Sequence, residues 1–295
     1  MSKLEEAKAA LEELLENARV GNIIPVRLPG QIEAIHALVE EAEAEHADEI
    51  DQLRNVPGGD TGEILLDTAE FFKTAIHDLK NPLASIKGYA DLLKNPAMAG
   101  ELTDMQTQLL EVIRSNSKRM EALLGDVSTM NKIRAGMLPI KAKMDMFKNI
   151  AMMIEKGAKP IAQELNRQFE IEVPQGLPLL ETDGERLAEA VLKLVENGLR
   201  YSPKETGKVT VRAWGDGSNL VITVTDNGVG MTPEELARLG EIFYRADNDV
   251  VRAYKGSGLG IPIAYNMVDL LDGTIVVDST PGEGTTFTLT FKGMT

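Results

Sequence analysis

The chain has 295 residues, 43% of them hydrophobic, enough for two domains with cores of their own. It has no cysteine, which excludes disulfides, thiolate metal sites and a cysteine nucleophile and fits a reducing compartment. A net charge of −15 argues against nucleic acid as a partner, because a phosphate backbone would be repelled.

The N-terminal fifth is the most acidic part. Residues 1–60 hold 14 Asp or Glu against 5 Lys or Arg, the composition of a solvated helical face. Residues 3–19 are predicted as a short amphipathic helix, and its acidic start, MSKLEEAKAALEELLE, lacks the features of a signal peptide. GNIIPVRLPG breaks it with two prolines and two glycines. Residues 31–54 are predicted as a second acidic helix, with His36 and His46 as surface histidines, and VPGGD ends it. No stretch approaches the ~18–20 uninterrupted apolar residues of a membrane helix. The chain as given is therefore expected to be soluble and cytoplasmic, whether whole or part of something longer.

From 62 to 95 the pattern becomes regular. Leu65, Ala69, Phe72, Ile76, Leu79, Leu83, Ile86, Ala90 and Leu93 follow alternating steps of four and three, the seam of helices packed along their length. NPAMAG (95–100) reads as a turn. A second seam follows at Leu109, Ile113, Asn116, Met120, Leu123, Val127 and Met130. Two seamed helices joined by a turn make a hairpin whose seam one chain half covers, so two copies would close a four-helix bundle. A bundle closed within one chain by the N-terminal helices is the alternative.

Past residue 137 strands appear. Helices are predicted at 147–166, 184–201 and 261–272. Strands are predicted at 169–173, 177–183, 208–214 and 219–226, with TIVVDS and TTFTLTF closing the chain. This is an α+β layer domain with a mostly antiparallel sheet, preceded by the α-helical hairpin. The expected division is 1–60 as a helical linker of unassigned role, 61–137 as the hairpin domain, and 138–295 as the layered domain.

Three glycine clusters lie in the last 70 residues: DNGVGM (226–231), GSGLG (256–260) and GEGT (282–285). Glycines let a backbone approach a ligand closely, and successive N–H groups can cradle an anion. Asp226 ends a strand just before two of them, where a carboxylate can accept from an exocyclic amine such as that of adenine. GSGLG opens onto a helix, whose N-terminus favours phosphate. There is no Walker-type GK[ST] and no dinucleotide fingerprint.

With ENGLRYSP (196–203) and EIFYRAD (241–247), these clusters form an ordered set of five boxes. The set resembles the ATP-binding domain shared by histidine kinases, gyrase, mismatch-repair ATPases and a heat-shock chaperone. The resemblance implies ATP and Mg²⁺ as cofactors, with Asn197 on Mg²⁺, Arg200 at the phosphates, Tyr201 beside the nucleotide and Asp226 on the adenine amine. It implies that Gly228 and Gly230 admit the base, that 232–256 is a mobile lid, and that Gly256, Ser257, Gly258, Leu259 and Gly260 close on the phosphates, with Thr285 in the third glycine box. Two positions depart from the pattern. Lys193 stands where a second asparagine is usual, and Gly198 where alanine is.

His77 follows Ile76 and so sits off the seam, toward solvent. The run HDLKNPL (77–83) resembles the H-box of histidine kinases, within a helix that matches the family along FFKTAIHDLKNPLASIKGYADLL. This implies that His77 accepts phosphate from MgATP and passes it to an aspartate on a response regulator receiver, within a homodimer. An imidazole gains positive charge as it attacks, and a carboxylate on its other nitrogen fixes the tautomer and takes that charge; Asp78 is placed for this. Asn81 lies one turn on, where the family orients water to remove phosphate from the partner. A plain ATPase switch, an anti-sigma serine kinase and a non-catalytic dimeric scaffold are the competing readings; the H-box opposes the first and the hairpin the second, while only Lys193 favours the third.

Overall fold

The computed structural model describes residues 61–95, 100–254 and 256–294, the first thirteen by backbone alone, with Ala10 and Ala37 as isolated helical positions. The helices expected at 3–19 and 31–54, with His36 and His46, lie outside the described residues, as does most of the NPAMAG turn. Met1–Ile64 and Leu65–Thr295 are separate compact units. The hairpin from Leu65 onward and the sheet domain belong to the second.

Helix α1 spans Thr61–Leu93 and runs unbroken through Pro82. Helix α2 spans Asp104–Arg134. It starts on a reciprocal cap in which the Thr103 hydroxyl accepts from the Gln106 N–H and the Gln106 side chain accepts from the Thr103 N–H. Lys132 and Arg134 occupy its last turn, where cations complement the exposed carbonyls. The helices run antiparallel, in a register set by Lys87–Glu121 at 2.7 Å and Asp91–Arg114 at 2.6 Å.

Within the hairpin the seam divides into two rows. Ile76, Leu83 and Ala90, seven residues apart, are buried, while Leu79 and Leu93 are exposed. On α2 the inward residues are Leu110 and Ser117, adjacent to the expected Leu109 and Asn116. Leu109, Ile113 and Met120 face out, which corrects the second seam as an intrachain contact. The cause is geometric: a two-helix contact covers only part of an apolar stripe, and the other row stays open.

The sheet domain opens with β1 (Lys143–Met146), α3 (Phe147–Leu165), β2 (Gln168–Glu172), β3 (Leu179–Thr182) and α4 (Gly184–Tyr201). It continues through β4 (Lys208–Asp216), β5 (Asn219–Asp226), α5 (Pro233–Ala237), α6 (Asp249–Ala253), α7 (Gly260–Leu270), β6 (Thr274–Thr280) and β7 (Gly284–Lys292). Five strands form one sheet in the order β2-β4-β5-β7-β6, parallel only at β2–β4; β1 and β3 pair separately. The expected elements are all present, with ends shifted by one or two residues.

Alternation of side chains across the pleat gives the sheet two unlike faces. One row runs Val211–Val224–Phe287 and the next Ala213–Ile222–Leu289, all buried. These rows and α3, α4 and α7 share a single core, so the domain is one helical layer on one sheet. The opposite rows are rich in threonine, including Thr210–Thr225–Thr286. Met130, Ile133 and Leu138, from the end of α2 and just beyond, join the same core.

Phe287 is 2% exposed and Val276 66% exposed on neighbouring strands. Phe287→Ala is expected to cost ~3–5 kcal/mol, and Val276→Ala to stay within about 0.5 kcal/mol. Urea denaturation of the two variants checks this; equal losses would contradict the assigned faces.

Candidate nucleotide site and phospho-acceptor helix

The nucleotide-site residues gather where α4 crosses the end of β5. Asp183 caps α4 by accepting from the Arg186 N–H at 3.2 Å, and also accepts from the Lys141 N–H at 2.8 Å. Leu187, Val191, Leu194 and Val195 fix the buried face of the helix. That fixes where Asn197, Arg200 and Tyr201 stand.

Gly198 explains itself at this crossing. A Cβ there would lie 3.0 Å from the Asp226 Cβ and 3.0 Å from the Val209 Cγ2, so the missing methyl lets α4 settle onto β5. The usual alanine would push the helix outward by a few tenths of an ångström. The helix-propensity cost of glycine, about 1 kcal/mol, is the local consequence.

Asp226 is largely enclosed. Its Oδ1 accepts from the Gly228 N–H at 2.8 Å and the Thr285 N–H at 3.2 Å. Burial pushes its pKa up, and these two main-chain donors work against that shift. Both donors lie on Oδ1, and Oδ2 accepts from neither. Thr285 is buried and its hydroxyl meets Ser279 Oγ at 2.9 Å, so this residue orients the carboxylate through its backbone.

Two glycines leave room that no side chain can take. Gly230 has φ +62, and a Cβ on it would fall 1.9 Å from the Thr280 carbonyl oxygen. Gly228 packs against the end of α4: a Cβ there would meet Asp226 Oδ1 at 2.7 Å and the Tyr201 carbonyl oxygen at 3.0 Å. The Val229 N–H donates to that Tyr201 oxygen at 3.2 Å.

The GSGLG loop enters α7 with no side-chain cap on its first N–H groups, which are therefore donors facing the loop. Gly256 and Gly260 are open to a ligand. Ser257 Oγ accepts from the Leu259 N–H at 3.3 Å. Leu259 itself is buried in the core, so it offers a ligand only its main chain. Gly258, at φ +70, packs on the backbone of Phe243.

The segment expected as a lid carries α5, α6 and two anchors, Arg245 and Tyr254, the second tied to Arg167 just past α3. Arg245 donates to the carbonyls of Val251, at 2.7 Å, and Tyr254. Tyr254 stands edge-on to Tyr201, with ring centroids 6.1 Å apart, and its hydroxyl accepts from Arg167 Nη2 at 2.8 Å. Arg245 lay inside a recognised box; Arg167 and Tyr254 gave no local signal, since long-range contacts alone give them their place.

Arg200 pairs with Glu196 on its own helix at 2.5 Å. Lys193 passes beside the loop, with its Cδ 4.0 Å from where a Cβ on Gly260 would lie, and its Nζ pairs with Asp126 of α2, both side chains being about four-fifths buried, at 20% and 18% exposure. The unusual N-box residue thus ties the sheet domain to the hairpin.

The remaining predicted residues stand on α1, apart from this cluster. His77 is exposed, its side chain at 73%, and Nδ1 lies 3.4 Å from Asp78 Oδ1. Asn81 is exposed one turn further on. Pro82 has no N–H for the Asp78 carbonyl, the one hydrogen bond missing from the helix beside the site. The hairpin register sets His77 level with the part of α2 around Met130.

Residues 182–294 match the family model described as histidine kinase-, DNA gyrase B- and HSP90-like ATPase. Residues 67–136 match that of the His Kinase A (phospho-acceptor) domain. The chain is 31% identical over 229 residues to a non-motile and phage-resistance protein of Caulobacter vibrioides, covering 75% of this chain and 27% of that protein. It is 29% identical over 276 residues to the autoinducer 2 sensor kinase/phosphatase LuxQ of Vibrio parahaemolyticus, covering 91% and 31%. It is 31% identical over 218 residues to the histidine protein kinase DivJ of Caulobacter vibrioides, covering 74% and 36%. The chain therefore spans about a third or less of the length of such relatives.

Among solved structures, full-length ShkA in complex with AMPPNP superposes with a TM-score of 0.63 at 24% identity, covering 76% of this chain and 46% of that one. The Acinetobacter baumannii histidine kinase AdeS gives 0.51 at 18% identity, covering 74% and 98%. Among the described residues no helix is long and apolar enough to cross a membrane. An enclosed carboxylate under glycine loops, preceded by a hairpin with an exposed histidine and matched by both models in order, places this chain among the sensor histidine kinases.

Proposed function

We propose that the protein is a two-component signalling kinase that phosphorylates His77 from MgATP and passes the phosphoryl group to a response-regulator aspartate. The observation that carries this reading is the pairing, in one chain, of the His77–Asp78 contact with the Asp226 cradle. The nucleotide side uses Asp226 Oδ2 for the adenine amine, Gly228 and Gly230 for close approach of the base, and the 256–260 loop with the start of α7 for phosphate. Tyr201 borders the base and Arg200 the phosphates. The domain division at 137/138 assigns these two chemistries to separate supports.

The residues suit Mg²⁺ in a restricted way. Among the described residues no cluster of three or more His, Cys, Asp or Glu could hold a metal by itself. Asn197, on the solvent side of α4 beside Gly198, is the one oxygen ligand proposed, which fits an ion held mainly by substrate phosphates and water. When bound, Mg²⁺ would neutralise charge on the phosphates. ATP then supplies the phosphoryl group.

At His77 the balance is simple. The Asp78 carboxylate holds the Nδ1 proton, so Nε2 carries the lone pair. Nε2 forms the bond to the γ-phosphorus as the bond to the β–γ bridging oxygen breaks, and ADP leaves. The positive charge that develops on the ring is met by Asp78. The receiver carboxylate then displaces the imidazole. Asn81 carries an amide able to orient water for the reverse task, removal of phosphate from the partner.

Reacting atoms must approach to about 3–3.5 Å. The Asp126–Lys193 contact meets α2 four residues before Met130, so on the hairpin register it stands on the order of 6 Å along the axis from the level of His77.

The exposed row of Leu79, Leu93, Leu109, Ile113 and Met120 continues the heptad pattern of the buried row and is best covered by a second copy. This gives a homodimeric four-helix bundle, in the cytoplasm of the cell.

With γ-labelled ATP, the parent is expected to take up acid-labile label and His77→Ala none; equal labelling of both would overturn the reading. Asp78→Asn is expected to slow labelling ~10²–10⁴-fold, whereas Asn81→Ala keeps labelling and slows decay of the partner's phosphate. Equal loss of labelling in both would remove the separate role of Asn81.

Asp226→Asn is expected to weaken ATP binding about ten- to a hundredfold, the effect of losing a charge-assisted hydrogen bond of ~1.5–3 kcal/mol. The sign for stability is opposite. A carboxyl whose folded pKa is raised contributes stability below its unfolded pKa that is lost as pH rises through the folded pKa. At neutral pH the substitution removes that cost, so the ligand-free Tm should hold or rise relative to the parent, and the difference should shrink in acid. A drop in Tm confined to neutral pH would contradict it.

Sedimentation at micromolar concentration is expected to show a dimer, and Ile113→Lys a shift toward monomer. A monomeric parent would refute the bundle.

A further inference from the structure

The contact between α2 and α4 has two rungs. Asp126 and Lys193 form the first, an enclosed ion pair. Arg119 lies seven residues before Asp126 on α2, and Arg200 seven residues after Lys193 on α4. Seven residues are close to two turns and return to the same helix face. Gly184 meets Ile150 and Gly157 meets Leu192, so α3 runs alongside α4 in the same direction, and Lys118 pairs with Glu164 near the end of α3. Between Asp126 and Lys118, α2 therefore runs antiparallel to α4, and Arg119 comes level with Arg200 as the second rung. Opposite charges meet at one rung and like charges at the other.

A third guanidinium completes the cluster. Arg245 of the lid lies beside Gly256 and the Tyr201 hydroxyl; a Cβ on Gly256 would be 3.9 Å from Arg245 Cζ and from Tyr201 Oη. The Arg119 pKa is lowered by burial first, and then by the positive charges of Arg200 and Arg245, in agreement with that register. The carboxylate at the cluster is Glu196, held by Arg200. Arg245 gives Nη2 to two main-chain carbonyls, while its buried Nε has no hydrogen-bond partner among the described residues. Among the described residues Arg119 has no ion pair. Arginines from α2, α4 and the lid thus converge in a chain whose net charge is −15, and of the three only Arg200 pairs with a carboxylate among the described residues. A polyvalent anion between them would relieve their mutual repulsion, and the planar fork of arginine suits phosphate oxygens. The cluster borders the GSGLG loop, where the phosphates of a nucleotide held on Asp226 would lie.

We propose that Arg119 of the hairpin joins Arg200 and Arg245 in holding the terminal phosphates of ATP, so that a residue outside the ATP-binding domain completes its nucleotide site. This rests on the nucleotide reading given above. The first rung holds the two parts together without ligand, and the second closes when phosphate enters. ATP binding and docking onto the hairpin are then coupled, and each favours the other to the same degree.

The test is equilibrium binding of ATP and of adenosine to the full chain, for the parent and for Arg119→Ala, Arg119→Lys and Asp226→Asn. Arg119→Ala is expected to weaken ATP about tenfold and leave adenosine unchanged, with Arg119→Lys recovering most of the loss. Unchanged ATP affinity in Arg119→Ala overturns the proposal, as does an equal loss for ATP and adenosine, which would mark a structural role. Asp226→Asn separates the two levels. If it weakens both ligands while Arg119→Ala affects neither, the inference alone falls; if it too leaves ATP binding intact, the nucleotide site itself is wrongly placed.

Discussion

Helix α4 can reach the end of β5 only because nothing stands between them at Gly198. Everything proposed for the nucleotide depends on that approach. It puts the last turn of α4, with Asn197, Arg200 and Tyr201, beside a carboxylate already turned inward by two main-chain donors. The Tyr201 carbonyl then anchors the Val229 N–H, which fixes the first glycine loop to the helix. A rigid aliphatic core under α4 and a threonine-lined outer face leave the site at the end of the sheet, where loops rather than strands must adapt.

The phospho-acceptor has the opposite design. His77 stands exposed on a helix surface with one carboxylate neighbour, Asp78. The proposed transfer, from an ATP-binding domain to His77 and on to a receiver domain, needs access from several directions, which this exposure gives. The ion pair between Lys193 and Asp126 bears on this, because it holds the ATP-binding domain against α2 within about one turn of the level of His77. Replacing the usual asparagine by lysine exchanges a polar group near the phosphates for a cross-domain contact. A largely enclosed pair of this kind is costly to break on one side only, ~3–5 kcal/mol, enough to bias where the domain rests.

The sequence made most of the fold legible. The β-branched runs in 208–226 and 274–291 marked four strands of the sheet, and the amphipathic run at 184–201 matched α4 to the residue. Of the boxes in order, the fold brings Tyr201, Asp226, Gly228 and Thr285 together at the end of β5. Three things escaped. The apolar stripe of α2 is wide enough that periodicity alone chose Leu109 where the hairpin buries Leu110. Leu259 read as part of a ligand loop, yet its side chain is a core anchor. Arg119, Asp126, Arg167 and Tyr254 carry no local pattern, because their roles arise from contacts between elements distant in sequence.

The central claim is that phosphate from ATP comes to rest on His77. Phosphopeptide mapping at mildly alkaline pH, after incubation with MgATP, tests it most directly. The account predicts a mass gain of one phosphoryl group on the peptide that contains His77, lost on acid treatment. A phosphoryl group found on any other peptide, or one stable to acid, would contradict it.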